Sequence, residues 1–134
     1  MDNYVKPIPQ VDEETREFWA GCKKHQLLIQ RCEACGTFRF PPRSMCHECG
    51  SSSTIWFPAS GKGSIYSYTI THRGPARFEV PFAVVLVDLE GIPGVRLPTN
   101  IIGCDLKSIR IGMPIKIVYN DITDQISLPK VKPC

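Results

Sequence analysis

Two short cysteine knuckles constrain this chain more than anything else in it. They are Cys32-Glu33-Ala34-Cys35 and, after ten intervening residues, Cys46-His47-Glu48-Cys49. A Cys-x-x-Cys turn points two thiolates to one side, about as far apart as tetrahedral Zn²⁺ requires. Two such turns close a four-thiolate shell. Gly36 and Gly50 each follow a second cysteine, where the chain must turn under the metal and amide N–H groups approach sulfur. The spacing therefore predicts a Zn²⁺ held by Cys32, Cys35, Cys46 and Cys49. A shell closed by protein leaves no position for water or substrate, which points to a structural rather than a catalytic ion. Rubredoxin-type iron fits the same spacing, and that alternative stays open here. His47 sits inside the second knuckle, but four cysteines are already present to fill the shell.

The other three of the seven cysteines, Cys22, Cys104 and Cys134, are scattered. No His or Asp motif accompanies Cys104, so it reads as apolar packing rather than as a nucleophile. The first 14 residues have neither a basic nor an apolar leader pattern, and no apolar run approaches the roughly 20 residues that span a bilayer. The expectation is a cytoplasmic, non-membrane protein, in which paired cysteines bind metal rather than form disulfides.

Around the knuckles the chain divides into three parts. Residues 1–26 read as an extended arm with Pro7 and Pro9, then a helix from about Glu13 to Lys24 with Asp12 as its N-cap. Acidic residues open that helix and Lys23, Lys24 and His25 close it, matching the helix dipole. Its apolar face is narrow and aromatic: Phe18, Trp19 and Cys22. That face either packs on its own domain or docks on a partner chain. Residues 27–57 read as the ribbon, entered by a strand at Leu27-Leu28-Ile29. Residues 58–134 show short apolar runs with turn signals between them. Strands are predicted at Ile65–Thr71, Phe82–Leu89, Val95–Ile102, Ile115–Tyr119 and Ile126–Val131, with one helical turn at Asp105–Ile109. Five short strands with a helical turn among them make an OB-fold the best match, although an SH3-like barrel reads much the same. Gly61 and Gly63 lack the rest of a phosphate-loop fingerprint and read as bend positions in a curled strand. The fold class is mainly β: N-terminal helix, four-cysteine zinc ribbon, small five-stranded OB-fold-like barrel.

Net charge is +3, and the surplus lies in residues 61–134, with nine basic against six acidic groups. This is too mild for the basic stripe usual in nucleic-acid binding, and it suits an anionic small ligand equally well. Two stretches are candidate anion sites. Arg39-Phe40-Pro41-Pro42-Arg43 sets two guanidinium groups around a stiff Pro-Pro, and the loop from Thr71 to Arg77 carries Arg73 and Arg77. The plainer reading of the first is a solvated ribbon loop. Nothing in the chain forms a nucleophile–base–orienter set.

The order of these features resembles a family that joins a rubredoxin-like zinc ribbon to an acyl-CoA-associated OB-fold. The matching stretches are Phe18-Trp19, Leu27 through Gly36, Phe40-Pro41-Pro42-Arg43, Cys46 through Ser51, Gly61 through Tyr68, Ile102-Gly103-Cys104 and Ile111 through Pro114. The resemblance implies a non-catalytic partner of a thiolase-superfamily enzyme in a hetero-oligomer, with the catalytic residues on the partner. It also implies that coenzyme A or acyl-CoA binds at a shared site, with Arg39, Arg43, Arg73 and Arg77 as candidate contacts. Phe18, Trp19, Phe40, Pro41 and Pro42 are then candidate interface residues. Thiolytic cleavage of a 3-oxoacyl-CoA is the first expectation, a thiolase-like retro-aldolase the second, and a single-stranded nucleic-acid-binding module the third. One departure stands at Leu89 to Gly94, where family members often carry a more acidic stretch.

Overall fold

The computed structural model describes residues 4–134. The predicted helix is shorter than its charge pattern suggests, α1 being Arg16–Lys23. Asp12 is not its N-cap. Its Oδ1 accepts from the Thr15 amide at 2.9 Å while its own amide donates to Thr15 Oγ1 at 3.1 Å, so the pair closes a turn ahead of the helix and Thr15 takes the cap position. Phe18, Gly21 and Cys22 form the buried face.

The helix ends in a Schellman arrangement. The Gln26 amide donates to Gly21 O at 2.8 Å and the His25 amide to Cys22 O at 2.9 Å. His25 takes the left-handed position with φ 59°, a place where glycine is the default because a Cβ is disfavoured there. Two contacts hold it. Its ring stacks on Tyr119 at 4.9 Å and 10°, and its Nε2 lies 3.0 Å from Asp121 Oδ1. The end of α1 is thereby tied to the barrel.

The ribbon is a three-stranded antiparallel sheet in the order β2-β1-β3, made of β1 (Leu28–Cys32), β2 (Phe38–Arg39) and β3 (Thr54–Pro58). Only the first was predicted. β2 is two residues long, and Thr54–Pro58 carries no clean alternation of buried and exposed residues. The two faces of this sheet differ. Ile29, Arg31, Phe38 and Phe57 share one, where the Arg31 guanidinium lies 5.0 Å from the Phe38 ring. Gln30, Cys32, Arg39 and Thr54 share the other.

The barrel has five strands in the order β6-β5-β4-β7-β8: β4 (Lys62–Thr71), β5 (Phe82–Leu89), β6 (Arg96–Asn100), β7 (Pro114–Asp121) and β8 (Ser127–Pro133). A parallel bridge between Ile101 and Val131 brings the end of β6 to β8, so the sheet is nearly closed. A short 3-10 turn, Leu106–Ser108, lies between β6 and β7, inside the predicted helical turn. All five predicted strands are present and form the barrel. Pro98 does not break β6, because the backbone ladder of β6 runs along β5 alone and Pro98 needs no outward amide. At Gly63 a Cβ would stand 2.3 Å from Asp88 O, so the bend expected there is a close approach of two strands.

Strand β5 alternates without exception, burying Ala83, Val85, Val87 and Leu89. With Ile65, Leu97, Ile115 and Val131 they fill the barrel, each large side chain contributing roughly 1.5–3 kcal/mol by leaving water. The same core continues into the ribbon and helix through Leu27, Ile29, Phe38, Phe18 and Cys22.

Candidate functional site

The first knuckle sits where β1 runs out, and the second lies in the long excursion between β2 and β3. In each, the glycine after the second cysteine adopts positive φ (78° at Gly36, 77° at Gly50), and its amide returns to the first cysteine's carbonyl at 2.9 Å. The two turns are copies, and they bring all four sulfurs within 4.8 Å of one another. Across the knuckles, Cys32 Sγ lies 3.6 Å from Cys49 Sγ, and Cys35 Sγ lies 3.6 Å from Cys46 Sγ. A tetrahedron with Zn–S bonds of about 2.3 Å has sulfur–sulfur edges of about 3.8 Å, so the cluster has the size of a zinc shell.

Its electrostatics pull Cys35 and Cys49 in opposite directions. The Thr37 hydroxyl, 3.2 Å away, and then the Thr37 amide pull the Cys35 thiol down to about 6. Backbone amides of Cys35 and Ala34 lower Cys32. Cys49 is pushed the other way, to about 12: the Ser51 amide favours its thiolate, but the neighbouring sulfurs of Cys32, Cys35 and Cys46 outweigh it. Four thiolates crowded together repel, and a divalent cation at their centre removes that repulsion. The donor set and its size thus fit structural zinc, with no fifth protein ligand among the described residues.

The candidate anion residues do not converge. Arg43 is exposed, 3.9 Å from Glu14, and its amide donates to Gln30 Oε1 at 2.8 Å. Arg39 corrects the expectation of two outward guanidinium groups. It is 4% exposed and reaches back across β1, donating from Nη2 to Arg43 O at 3.0 Å and to Thr54 Oγ1. Its Nε and Nη1 are buried without a hydrogen-bond partner. Cys32 is Thr54's register partner and lies on the same face of the sheet. The buried cation therefore lies on the same face of the ribbon as Cys32. Arg73 and Arg77 are both exposed in the β4–β5 loop, Arg77 with φ 77°.

The aromatic candidates divide similarly. Phe18 is 4% exposed and packs at home, its ring 5.0 Å from Trp19 and 5.4 Å from Phe40. Trp19 and Phe40 are half-buried, Pro41 is exposed and Pro42 buried. Trp19 and Phe40 line an apolar groove of about 270 Å³ with Leu97, Pro98, Leu128 and Pro129, and Lys130 stands at its polar end beside Asn100. Sequence reasoning missed this groove, since its walls come from four separate elements. It also missed a run of exposed apolar residues on the N-terminal arm, Val5, Ile8 and Val11. No helix among the described residues is long and apolar enough to cross a membrane.

Comparison with known proteins agrees with this geometry in both halves. Residues 19–54 match the family model described as the ChsH2 rubredoxin-like zinc ribbon domain, and residues 56–120 match that of the ChsH2 C-terminal OB-fold domain. A probable enoyl-CoA hydratase alpha subunit of Thermomonospora curvata is 36% identical over 96% of this chain, and the 3-oxo-4,17-pregnadiene-20-carboxyl-CoA hydratase alpha subunit of Mycobacterium tuberculosis is 36% identical over 87%. The chain spans only 40% and 37% of those two proteins. A DUF35 domain-containing scaffold protein of Methanocaldococcus jannaschii is 33% identical over 79% of this chain and 77% of its own length. A solved structure described as an Ltp2-ChsH2(DUF35) aldolase superposes with a TM-score of 0.85 at 36% identity, over 94% of this chain and 98% of that one. The two family models together cover the ribbon and most of the barrel, the scaffold relative aligns over most of both chains, and the chain belongs to the ChsH2/DUF35 family of zinc-ribbon and OB-fold proteins.

Proposed function

We propose that this chain is a non-catalytic accessory subunit of a cytoplasmic thiolase-superfamily complex that cleaves a carbon–carbon bond in an acyl-CoA. The observation that carries the reading is the closed metal shell. The most elaborate site in the chain offers no position for a substrate, so the ion serves to hold a surface. That surface is apolar and partly open: the Trp19–Phe40 groove, the exposed Pro41 and the arm residues Val5, Ile8 and Val11. Aromatic and proline-rich patches of this kind suit a protein interface. The working division is arm and helix 1–26, ribbon 27–57 and barrel 58–134, with zinc on Cys32, Cys35, Cys46 and Cys49. Arg43, Arg73 and Arg77 remain the candidate contacts to the CoA phosphates at a site shared with the partner.

Two chemistries fit the partner. A thiolytic cleavage is supported by likeness to the benzoylsuccinyl-CoA thiolase subunit BbsA of Thauera aromatica, 31% identical over 48% of this chain. An aldol-type cleavage is supported by the aldolase structure, whose likeness runs over nearly the full length of both chains. The fuller likeness favours the aldol reading over the thiolase first expected. Co-expression with a thiolase-superfamily protein encoded beside this one tests the subunit role. Co-elution, and cleavage activity that needs both chains, is the expected result, and a partner fully active alone that never co-elutes refutes it. Cleavage that requires free CoA identifies thiolysis, and cleavage without it the aldol reaction.

A further inference from the structure

The register of the barrel places three lysines in one row. Lys62 on β4 stands directly opposite Lys116 on β7, and Lys116 stands directly opposite Lys132 on β8. Directly opposed residues on antiparallel strands share a face, and their Cβ atoms lie about 5 Å apart, so like charges there are destabilising. Buried Ile115 and Val131, the chain neighbours of Lys116 and Lys132, put this row on the outside of the barrel. Among the described residues none of the three lysines forms an ion pair, nor does Lys24. Glu90, whose amide donates to the Lys62 carbonyl, flanks the row without joining it in a salt bridge.

Two of the three lysines also line a cleft. It holds about 640 Å³ between the end of α1 and the barrel, walled by Lys24, His25, Ser60, Lys62, Lys116 and Tyr119, with no carboxylate in its lining. The neighbouring Asp121 faces His25 and receives the Ser127 hydroxyl, so it is already engaged. The cleft wall is built rather than incidental: His25 is held in a left-handed conformation by its stack on Tyr119 and its bond to Asp121.

We infer that this cleft, at the seam of helix and barrel, is a binding site for the phosphate group of a small phosphorylated molecule, with Lys62 and Lys116 as its main contacts and Lys24 as a third. A multiply charged anion between them removes the like-charge repulsion that the register otherwise imposes. A nucleic-acid strand suits the cleft less well. The row lies on β4, β7 and β8, away from the face of the second and third barrel strands that OB-folds use for oligonucleotides, and one face of the Tyr119 ring is already stacked on the His25 ring. The inference does not depend on the accessory-subunit reading.

The test is calorimetric titration of the zinc-loaded chain at low salt with three probes: inorganic pyrophosphate, adenosine 3′,5′-bisphosphate and a single-stranded thymidine oligomer. Saturable pyrophosphate binding is expected, weakened at least tenfold in the Lys62→Gln/Lys116→Gln variant and unchanged in Lys107→Gln, an exposed lysine on the 3-10 turn. Bisphosphate binding tighter than pyrophosphate identifies a nucleotide-type ligand, and equal binding a bare phosphate site; both support the proposal. Zinc content and the circular dichroism spectrum of the double variant check its fold, and a Lys116→Gln single variant replaces it if the fold fails. No binding at millimolar pyrophosphate, equal loss in Lys107→Gln, or tight oligomer binding with none to the small probes overturns it.

Discussion

In the ribbon, strands of five, two and five residues form a sheet with Ile29, Arg31, Phe38 and Phe57 on one face and, on the other, Gln30, Cys32, Arg39 and Thr54 beside Leu28 and Trp56. In the barrel, strands of five to ten residues close around an interior of Ile, Val, Leu and Ala side chains. The barrel is held by area removed from water, distributed over many residues. The ribbon's second face mixes Leu28 and Trp56 with polar groups, and it adds a few directional links: four sulfurs placed to hold one ion, the Gln30 side chain on the Arg43 amide, and a buried guanidinium. Failure should therefore be local and abrupt in one region, graded in the other. The two regions nonetheless share a core through Leu27, Ile29 and Phe38, and that overlap is where the comparison can break.

Removing the metal is the most severe test. Structural zinc contributes on the order of 10 kcal/mol in isolated finger peptides. Chelation, or a Cys46→Ala substitution, should open residues 27–57 to protease and to hydrogen exchange while β4 to β8 remain protected. Simultaneous loss of protection in both regions would mean that the shared core makes them one cooperative unit. Equal protease resistance with and without metal would remove the staple altogether.

Truncating the barrel interior comes next. Ile115 is fully buried, and Ile115→Ala should cost about 2–5 kcal/mol in denaturant unfolding with zinc content unchanged. A smaller loss belongs to Arg39. If its cation is balanced by the thiolate shell, Arg39→Met should weaken zinc retention by about 10–100-fold in competition with a chelator. Unchanged retention would assign the arginine to packing alone.

The smallest effect is at the seam. The Ser127 hydroxyl and then His25 hold the Asp121 carboxyl below its ordinary value. A lowered carboxyl stabilises the fold above its unfolded-state range and loses that contribution as pH falls through the folded value. Thermal unfolding followed from neutral pH down to pH below about 4 should show this loss in the wild type, and Asp121→Asn should flatten it. A profile identical in the two would show that the carboxyl does not matter to stability.

The sequence made the metal centre legible because sulfur spacing encodes it locally: two knuckles and two glycines need no tertiary information. Strand β5 was legible to the residue for the same reason, its borders being marked by Pro81 and by the Glu90-Gly91 turn. β2 and β3 were not, since Phe38-Arg39 is too short to show a period and Thr54–Pro58 borrows its order from β1. Arg39 looked like a surface cation because charge argues for exposure, and only the register reveals that Thr54 and Cys32 lie on its face of the sheet. The lysine row is the extreme case. Lys62, Lys116 and Lys132 are far apart in the chain, and only strand pairing brings them side by side.

The ten residues between the two knuckles have a consequence for how such proteins diversify. Both ends of that segment, at Cys35 and Cys46, close on the same four sulfurs. Between them, Pro41, Arg43, Ser44 and Met45 are exposed, while the Arg43 amide is held by Gln30, its carbonyl by Arg39 and the Ser44 amide by Glu14. The exposed side chains can therefore change with little penalty to folding provided those backbone bonds and buried Pro42 are kept, as a replaceable tip on a fixed handle. Swapping these five residues between family members would transfer recognition without rebuilding the scaffold.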